Sequence, residues 1–451
     1  MSIPVDQTNV APPILNNPQP RLPAEICERI IDHLDPFWLG DQRQTLLNCA
    51  LVRRGWYAES RAILFEEPIL STRKEAIACA RSLTRIPLLA ARVRRLEIGA
   101  RSPTLESSMT SPELASILVM LAGKLPNLAS LSFSDVSFEQ CSMRNLAFGS
   151  LHEFSHITSL RLARVTLPSA SPFFQVICSF PQLQSLHCWD LHWSKLRSMA
   201  PLPEHRRMPL TTLTSFEYDL SCFEDIGHIL LGLLNRAILT ALYLYSPVST
   251  AALNFTQDML NIAGGRLEEA TTTFSALEKD GGGSFQSLLL HPISFESNVN
   301  LRTLVVGAFT SDMNDLTLLV RSVLLPLLKT ILSKDLSNIS FSFSPLEWDT
   351  DAMLNIFDPE VCVQIDELLA EEHFAELGLV SIFFCFQPAL LDDSQCVKFC
   401  ADICSRFPKL NDMNILTINC NRYRYPSDTE RALKSKQMAN RLSDPADQST
   451  R

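Results

Sequence analysis

No apolar run in this chain reaches the roughly 18–20 residues a helix needs to cross a bilayer. The nearest stretch, LTLLVRSVLLPLLKTIL, is interrupted by Arg321, Pro326 and Lys329. A basic excess is missing too: 39 Lys and Arg stand against 49 Asp and Glu, a net charge of −10. A general nucleic-acid binder needs the opposite balance. The opening MSIPVDQTNVAPPILNNPQP has neither a basic start nor an apolar segment, so no secretory signal is expected. The 13 cysteines are scattered singly, not in short pairs, so reduced and mostly buried thiols are expected. G-x-S-x-G, the P-loop and G-x-G-x-x-G are absent, and the GGG at 281–283 precedes Ser284 with no Lys. A phosphate cradle of known type is therefore not expected. These absences point to a protein without cofactor, metal or catalytic centre, without nucleic-acid or membrane partners, in the cytoplasm and/or nucleus.

What is present is ordinary globular material, 46% hydrophobic and 20% charged over 451 residues. That length suggests more than one domain and a core large enough to need no staples. Residues 1–20 are rich in Pro and Asn and are expected to be disordered. The pattern then changes. Pro23 suits the first turn of a helix, where a missing N–H costs nothing. Ile26, Ile30 and Leu34 follow at i, i+4 and i+8, with Cys27 and Ile31 beside them, which makes a wide apolar stripe. DPFWLGDQ breaks the helix at Pro36 and Gly40. TLLNCALV and RRGWYAESRAILF complete a three-helix unit over about 21–70. Such a unit buries too little surface to be comfortable alone.

These residues resemble the F-box. The shared pattern is Leu22, Pro23, Glu25, Ile26, Ile30, Ile31 and Leu34, then the turn Asp35-Pro36, then Ala50, Leu51, Val52, Arg54, Trp56, Leu64 and Phe65. The loop FWLGDQ is longer than in the shortest members, and Arg53 stands where many relatives have Cys. The likeness covers about a tenth of the chain and is strongest to the F-box proteins abundant in mushroom-forming fungi. It implies docking to a Skp-type adaptor, which links to a cullin–RING ubiquitin ligase while the C-terminal domain selects the client. The adaptor surface and small core would be Leu22, Pro23, Ile26, Ile30, Leu34, Leu51, Val52 and Trp56. The plainer alternative is that 22–65 merely caps the domain below.

The remainder, 71–425, repeats an L-x-x-L-x-L cadence in LPNLASLSF, HITSLRLAR, FPQLQSLHCWD, LTTLTSFEYDL and NRAILTALYLY. The middle apolar residues are Leu131, Leu160, Leu186, Phe216 and Leu242, spaced by 29, 26, 30 and 26. That is the upper range of a leucine-rich repeat, one strand and one helix per unit. Between them lie helical segments such as SPELASILVMLAGKL, with Ser111 as the expected cap, Pro112 at the start and Glu113 in the first turn. The strand signal continues near Leu304, Ile339, Leu379 and Ile415. The segment 264–285 looks like an irregular insertion, and 426–451 like a polar tail. The expected fold class is α/β: a short helical F-box followed by an irregular leucine-rich-repeat-like α/β solenoid. An open α/β sheet also fits the unequal spacing.

Strand alternation assigns faces. With Leu131 and Phe133 inward, Arg161, His187, Glu217 and Tyr243 share an outward row, and Ala163, Trp189, Asp219 and Tyr245 share the next. Aromatic and Arg side chains there suit protein recognition, so Arg161, His187, Trp189, Glu217, Asp219, Tyr243 and Tyr245 are the candidate client-binding residues. A register slipped by one would instead bury the aromatics.

Cys396, Cys400 and Cys404 lie at i, i+4 and i+8, where buried thiols on an amphipathic helix are a plainer reading than a metal site. His187, Cys188 and His192 match no zinc spacing. Arg73, Lys74, Arg81, Arg85, Arg92, Arg94, Arg95 and Arg101 form a basic stretch, whereas 335–397 holds 13 acids and no Lys or Arg. Such runs are usually solvated faces. The reading is a non-catalytic substrate-recognition subunit of a ubiquitin ligase. A protein-binding scaffold and an enzyme on an α/β fold are the rivals.

Overall fold

The computed structural model describes residues 26, 29–31, 40–52, 54–99, 109–138, 149–193, 210–219, 227–247, 249–276, 285–310, 312–345, 350–385 and 393–421. Expectations for 1–20, Leu22, Pro23, Leu34, Arg101, the GGG and the polar tail concern residues outside that set. The chain forms two units, Met1–Pro68 and Ile69–Arg451.

In the first unit, the helices Gly40–Val52 and Arg54–Glu66 pack on each other. Ile26 and residues 29–31 are also helical. Ile31, Leu46 and Ala62 are buried. The Arg61 guanidinium lies over the rings of Tyr57 and Phe65, at 5.8 and 5.4 Å.

The second unit is a leucine-rich-repeat-type α/β solenoid. Its strands are β1 (Ile69–Leu70), β2 (Arg95–Gly99), β3 (Ser130–Ser134), β4 (Ser159–Ala163), β5 (Thr166–Leu167), β6 (Ser185–Trp189), β7 (His192–Trp193) and β8 (Ser215–Asp219). They continue with β9 (Ala241–Pro247), β10 (Glu269–Ala276), β11 (Thr303–Thr310), β12 (Asn338–Pro345), β13 (Leu379–Cys385) and β14 (Leu416–Asn421). Twelve of them make one sheet in the order β1-β2-β3-β4-β6-β8-β9-β10-β11-β12-β13-β14, and β5 pairs with β7 separately. Every pair is parallel. A doubly wound sheet reverses its order at a switch point. Here each strand of the long sheet lies beside its nearest predecessor, which is the order of stacked repeats.

The register follows the apolar cadence. Leu96, Leu131, Leu160, Leu186, Phe216, Leu242, Ala270, Leu304, Ile339 and Val380 pair in one continuous row. All ten are at most 1% exposed. Burying a Leu or Phe side chain stabilises by about 1.5–3 kcal/mol, so one row supplies much of the drive to stack. Before the strands a second device repeats. The carbonyls of Arg94, Ala129, Thr158, Gln184, Thr214, Thr240, Glu268, Arg302 and Ser337 each accept two successive N–H groups from the next repeat. Those donors would otherwise be orphaned where the chain turns into the strand.

Several expectations are corrected. Within segment 264–285, residues 269–276 form no irregular insertion but β10, paired with β9 and β11, and 277–284 lie outside the described residues. The inward residues of β10, Ala270, Thr272 and Phe274, lack the leucine cadence that reveals a repeat. Gly264, at φ 54°, caps the helix Thr250–Ala263 instead of opening a loop. At β13 the buried residue comes one position late: Leu379 is exposed and Val380 buried, and Val380 pairs with Leu416, not Ile415. Ile69 and Leu70 pair with β2, so they belong to the sheet and not to the helical unit. The helix Ser111–Leu121 starts with Thr110 in the capping position, its N–H and hydroxyl donating to the Glu113 carboxylate at 3.1 and 3.0 Å. The basic side chains of 73–95 are exposed. In the acidic block, Asp366 is buried and accepts the N–H groups of Lys409 and Leu410, both at 2.9 Å.

Candidate functional site

Each strand of the solenoid turns alternate residues away from the buried row. On the open face, Glu97, Ser132, Arg161, His187, Glu217, Tyr243, Thr271, Val305, Ser340, Ser381 and Thr417 align strand to strand. The next row includes Ala163 against Trp189, and Asp219 against Tyr245. The face expected for the candidate residues is therefore the one they occupy. Arg161 is exposed, while His187, Trp189, Glu217, Asp219, Tyr243 and Tyr245 are half-buried. Their inward neighbours Leu160, Leu186, Phe216 and Leu242 fill the core, so the slipped register does not occur.

A polar network crosses this face. The Ser185 Oγ lies 2.7 Å from His187 Nε2. His187 Nδ1 meets a carboxylate oxygen of Glu217 on the neighbouring strand. Further along, the Tyr243 hydroxyl donates to Glu269 on β10. Burial, then that hydrogen bond, then the charges of Glu269 and Glu217 push the Tyr243 phenol well above its ordinary range. It stays a neutral donor at any physiological pH. Sequence reasoning missed Glu269, because β10 was not recognised as a strand.

Beside the network is an aromatic surface. Trp189 on β6 and Tyr245 on β9 stand two strand spacings apart, about 10 Å of backbone. Their rings close that gap to 4.4 Å between centroids, tilted by 42°, spanning the strand that carries Asp219. The result combines a large apolar platform with the carboxylates of Glu217, Asp219 and Glu269. Aromatics and Arg supply most of the energy at protein interfaces, and surrounding charges select the partner.

The hydroxyl–imidazole–carboxylate order of Ser185, His187 and Glu217 is that of a nucleophile relay. Acyl transfer also needs N–H donors aimed at a developing oxyanion. The N–H groups of Gln184 and Ser185 instead both donate to the Thr158 carbonyl, at 2.7 and 2.9 Å. Cys188 points the other way, into the core, where burial and then Glu217 raise its thiol pKa. Among the described residues, no three His, Cys, Asp or Glu side chains are grouped to hold a metal ion.

The helical unit carries the other candidate surface. Leu51 and Val52, at the end of the helix Gly40–Val52, are 86% and 68% exposed. Leu47, Tyr57, Ile26 and Ile30 are also exposed, and Trp56 is half-buried. Water gains nothing from such groups, and clustered exposed apolar side chains mark interaction sites.

No protein-family model and no curated protein matches the chain. Among solved structures, one similar chain comes from a crystal structure of the Rad7 and Elc1 complex in yeast. It is 9% identical, over 80% of this chain and 84% of that one, with a TM-score of 0.37. Another comes from the crystal structure of a TLR13–ssRNA13 complex, 13% identical over 66% of this chain and 44% of that one, with a TM-score of 0.29. The class of the second unit, a leucine-rich-repeat-type solenoid, is defined by its own strand order and register. Among the described residues, no helix is long and apolar enough to cross a membrane.

Proposed function

We propose that the chain is a non-catalytic substrate-recognition subunit of a cullin–RING ubiquitin ligase, working in the cytoplasm and/or nucleus. The helical unit, an F-box by its sequence pattern, docks a Skp-type adaptor. The open face of the solenoid holds the client protein. The observation that carries this reading is the exposure of Leu51 and Val52 together at the end of a short helix. Two adjacent branched apolar side chains in water are costly unless a partner covers them, at about 1.5–3 kcal/mol each. A ring of aromatics and carboxylates on a rigid parallel sheet supports the client-binding half.

Titration calorimetry of the full chain with a purified Skp-type adaptor tests it. Replacing Leu51 and Val52 by Asp should weaken binding at least 100-fold, about 2.7 kcal/mol, with the thermal melt unchanged because both side chains are already exposed. Equal affinity of variant and wild type would remove the adaptor assignment. Because the N–H groups of Gln184 and Ser185 are both taken by the Thr158 carbonyl, a fluorophosphonate probe should leave Ser185 unlabelled. Labelling at Ser185 would revive the enzyme reading.

A further inference from the structure

The helix Asp393–Cys404 lies against β14, and the contact brings cysteines together from distant parts of the sequence. Cys396, Cys400 and Cys404 recur every four residues and so share one helix face. They were expected to be buried; all three are instead partly exposed. Cys420 follows Leu416 and Ile418 on the helix-facing side of β14, by strand alternation. The Cys400 and Cys420 sulfurs are hydrogen-bonded at 3.4 Å. Cys396 is also within hydrogen-bonding reach of Cys420. Cys404 is directed elsewhere, 3.2 Å from Asn411 Oδ1. A disulfide needs its sulfurs at about 2.05 Å, so little movement separates this pair from a bond.

We propose that Cys400 and Cys420 are a peroxide-responsive thiol pair whose disulfide fastens strand β14 to the helix Asp393–Cys404. The Cys400 thiolate attacks one oxygen of a hydroperoxide. An S–O bond forms, the O–O bond breaks, and the departing oxygen leaves as alcohol or water after taking a proton from solvent. Cys420 then attacks the sulfenic sulfur of Cys400. The S–S bond forms, the S–O bond breaks, and the hydroxide takes the Cys420 proton to leave as water. Each sulfur is oxidised by one electron, and the peroxide takes up two.

The two thiols divide these roles. Cys400 is lowered to about 7, chiefly because the Cys420 side chain hydrogen-bonds its thiolate, with the Cys420 backbone adding to this against the cost of burial. Cys420 is pushed far up by its bond to Cys400, by burial and by the charge of Cys400. The attacking thiol is thus ionised near neutrality while its partner keeps a proton until it is needed, and thiolate fraction sets the reaction rate. β14 is the last strand in the sheet order. It is therefore the edge where a covalent tie changes local opening most.

The full chain, reduced and then treated with hydrogen peroxide near pH 7, tests the pair by alkylation and tryptic mass mapping. Trypsin places Cys396, Cys400 and Cys420 in three different peptides, since Lys398, Arg406 and Lys409 lie between them. The expected product joins the Cys400 and Cys420 peptides, two hydrogens lighter, and is undone by dithiothreitol. It should persist in Cys404→Ser, which separates Cys400 from the other thiol on its peptide. Cys420→Ser should stop at a sulfenic acid on Cys400 that dimedone traps. Alkylation of Cys400 should reach half its maximal rate near pH 7, and amide exchange in β14 should slow after oxidation. The proposal is overturned if Cys400 and Cys420 are still fully alkylated when other cysteines are oxidised. It is equally overturned if the dominant bridge uses Cys396.

Discussion

Strands β2, β3, β4, β6 and β8 hold five residues each, whereas β9 to β13 hold seven or eight. The difference begins at the sixth position of each strand's register. In the first half, Asp135, Arg164 and Asp190 stand there with φ of 56°, 52° and 50°. The chain turns, and a second short ladder follows: Met109 bridges Val136, Ser137 bridges Thr166, and β5 pairs with β7. In the second half, the same position is Phe274 or Ala308, and the strand runs on extended. The faces differ too. From β4 to β9 the open face presents Arg161, His187, Trp189, Glu217, Tyr243 and Tyr245. From β10 on it presents mainly hydroxyls and small residues, with Thr271, Thr273, Ser340, Ser342 and Gly307 on the outward register and Phe309 and Phe383 among them. Large side chains concentrate on β4 to β9, whereas hydroxyls and small residues prevail from β10 on.

Two glycines in the same outward row sharpen this contrast with the largest expected effects. A Cβ at Gly99 would lie 1.7 Å from the Ser134 carbonyl oxygen. Backbone paired in a ladder cannot yield, so Gly99→Ala should cost at least the ~1–3 kcal/mol typical of overpacking. A Cβ at Gly307 meets the Thr273 side chain instead, with Oγ1 at 2.6 Å and Cγ2 at 2.9 Å. Gly307→Ala should cost ~1–3 kcal/mol, and Thr273→Ala should recover most of it. Denaturant melts of the single and double variants check both. If Ser134→Ala rescued Gly99→Ala as well, the distinction between backbone and side-chain contact would fail.

How much of this was legible follows from which atoms carry the signal. Leu131, Leu160, Leu186, Phe216 and Leu242 declare their strands, because a short five-residue strand with two inward apolar residues leaves a sharp cadence. β10 shows no such cadence, since Ala270 and Thr272 fill its inward positions and the drive comes from neighbouring rows. At β13, the pair Leu379-Val380 offers two adjacent apolar residues, and only the partner strand decides which is buried. The outward row from Arg161 to Tyr243 was readable because it lies one residue past each anchor. The contacts of Tyr243 with Glu269, and of Cys400 with Cys420, were not. They join elements whose relative register is a tertiary property.

Client capture gives an intermediate effect and rests on the proposed recognition role. Trp189→Ala or Tyr243→Ala should weaken client binding by more than 1 kcal/mol, about fivefold or more. Adaptor binding should stay unchanged, and the stability loss should be smaller than for the buried row, since both rings are half-buried. The matched change on β11, Val305→Ala, should leave capture within about twofold, because its row neighbours Thr271 and Ser340 carry no ring. Affinity measured on client recovered from the native host decides this. Equal losses at Trp189 and Val305 would spread the surface across both halves.

The smallest effect probes the turn itself. Arg164 holds a backbone conformation that costs a non-glycine L-residue roughly 1–2 kcal/mol. Its guanidinium makes a two-pronged pair with Asp135, Nε to Oδ1 at 2.7 Å and an Nη to Oδ2 at 2.9 Å. Asp135 and Arg164 are themselves successive turn residues, so the pair links one corner to the next. With side chains 34% and 20% exposed, water screens it, and about 1 kcal/mol or less is expected. Arg164→Ala and Arg164→Gly both lose the pair, but only glycine also relieves the backbone. Gly should therefore be more stable than Ala at 164, by up to about 1 kcal/mol. At Ala308, the same register position on an extended strand, the order must reverse: Ala308→Gly should destabilise by about 0.5–1 kcal/mol. Paired urea melts of these variants read the sign directly. The same sign at both positions would mean that the sixth residue does not divide the two halves of the sheet.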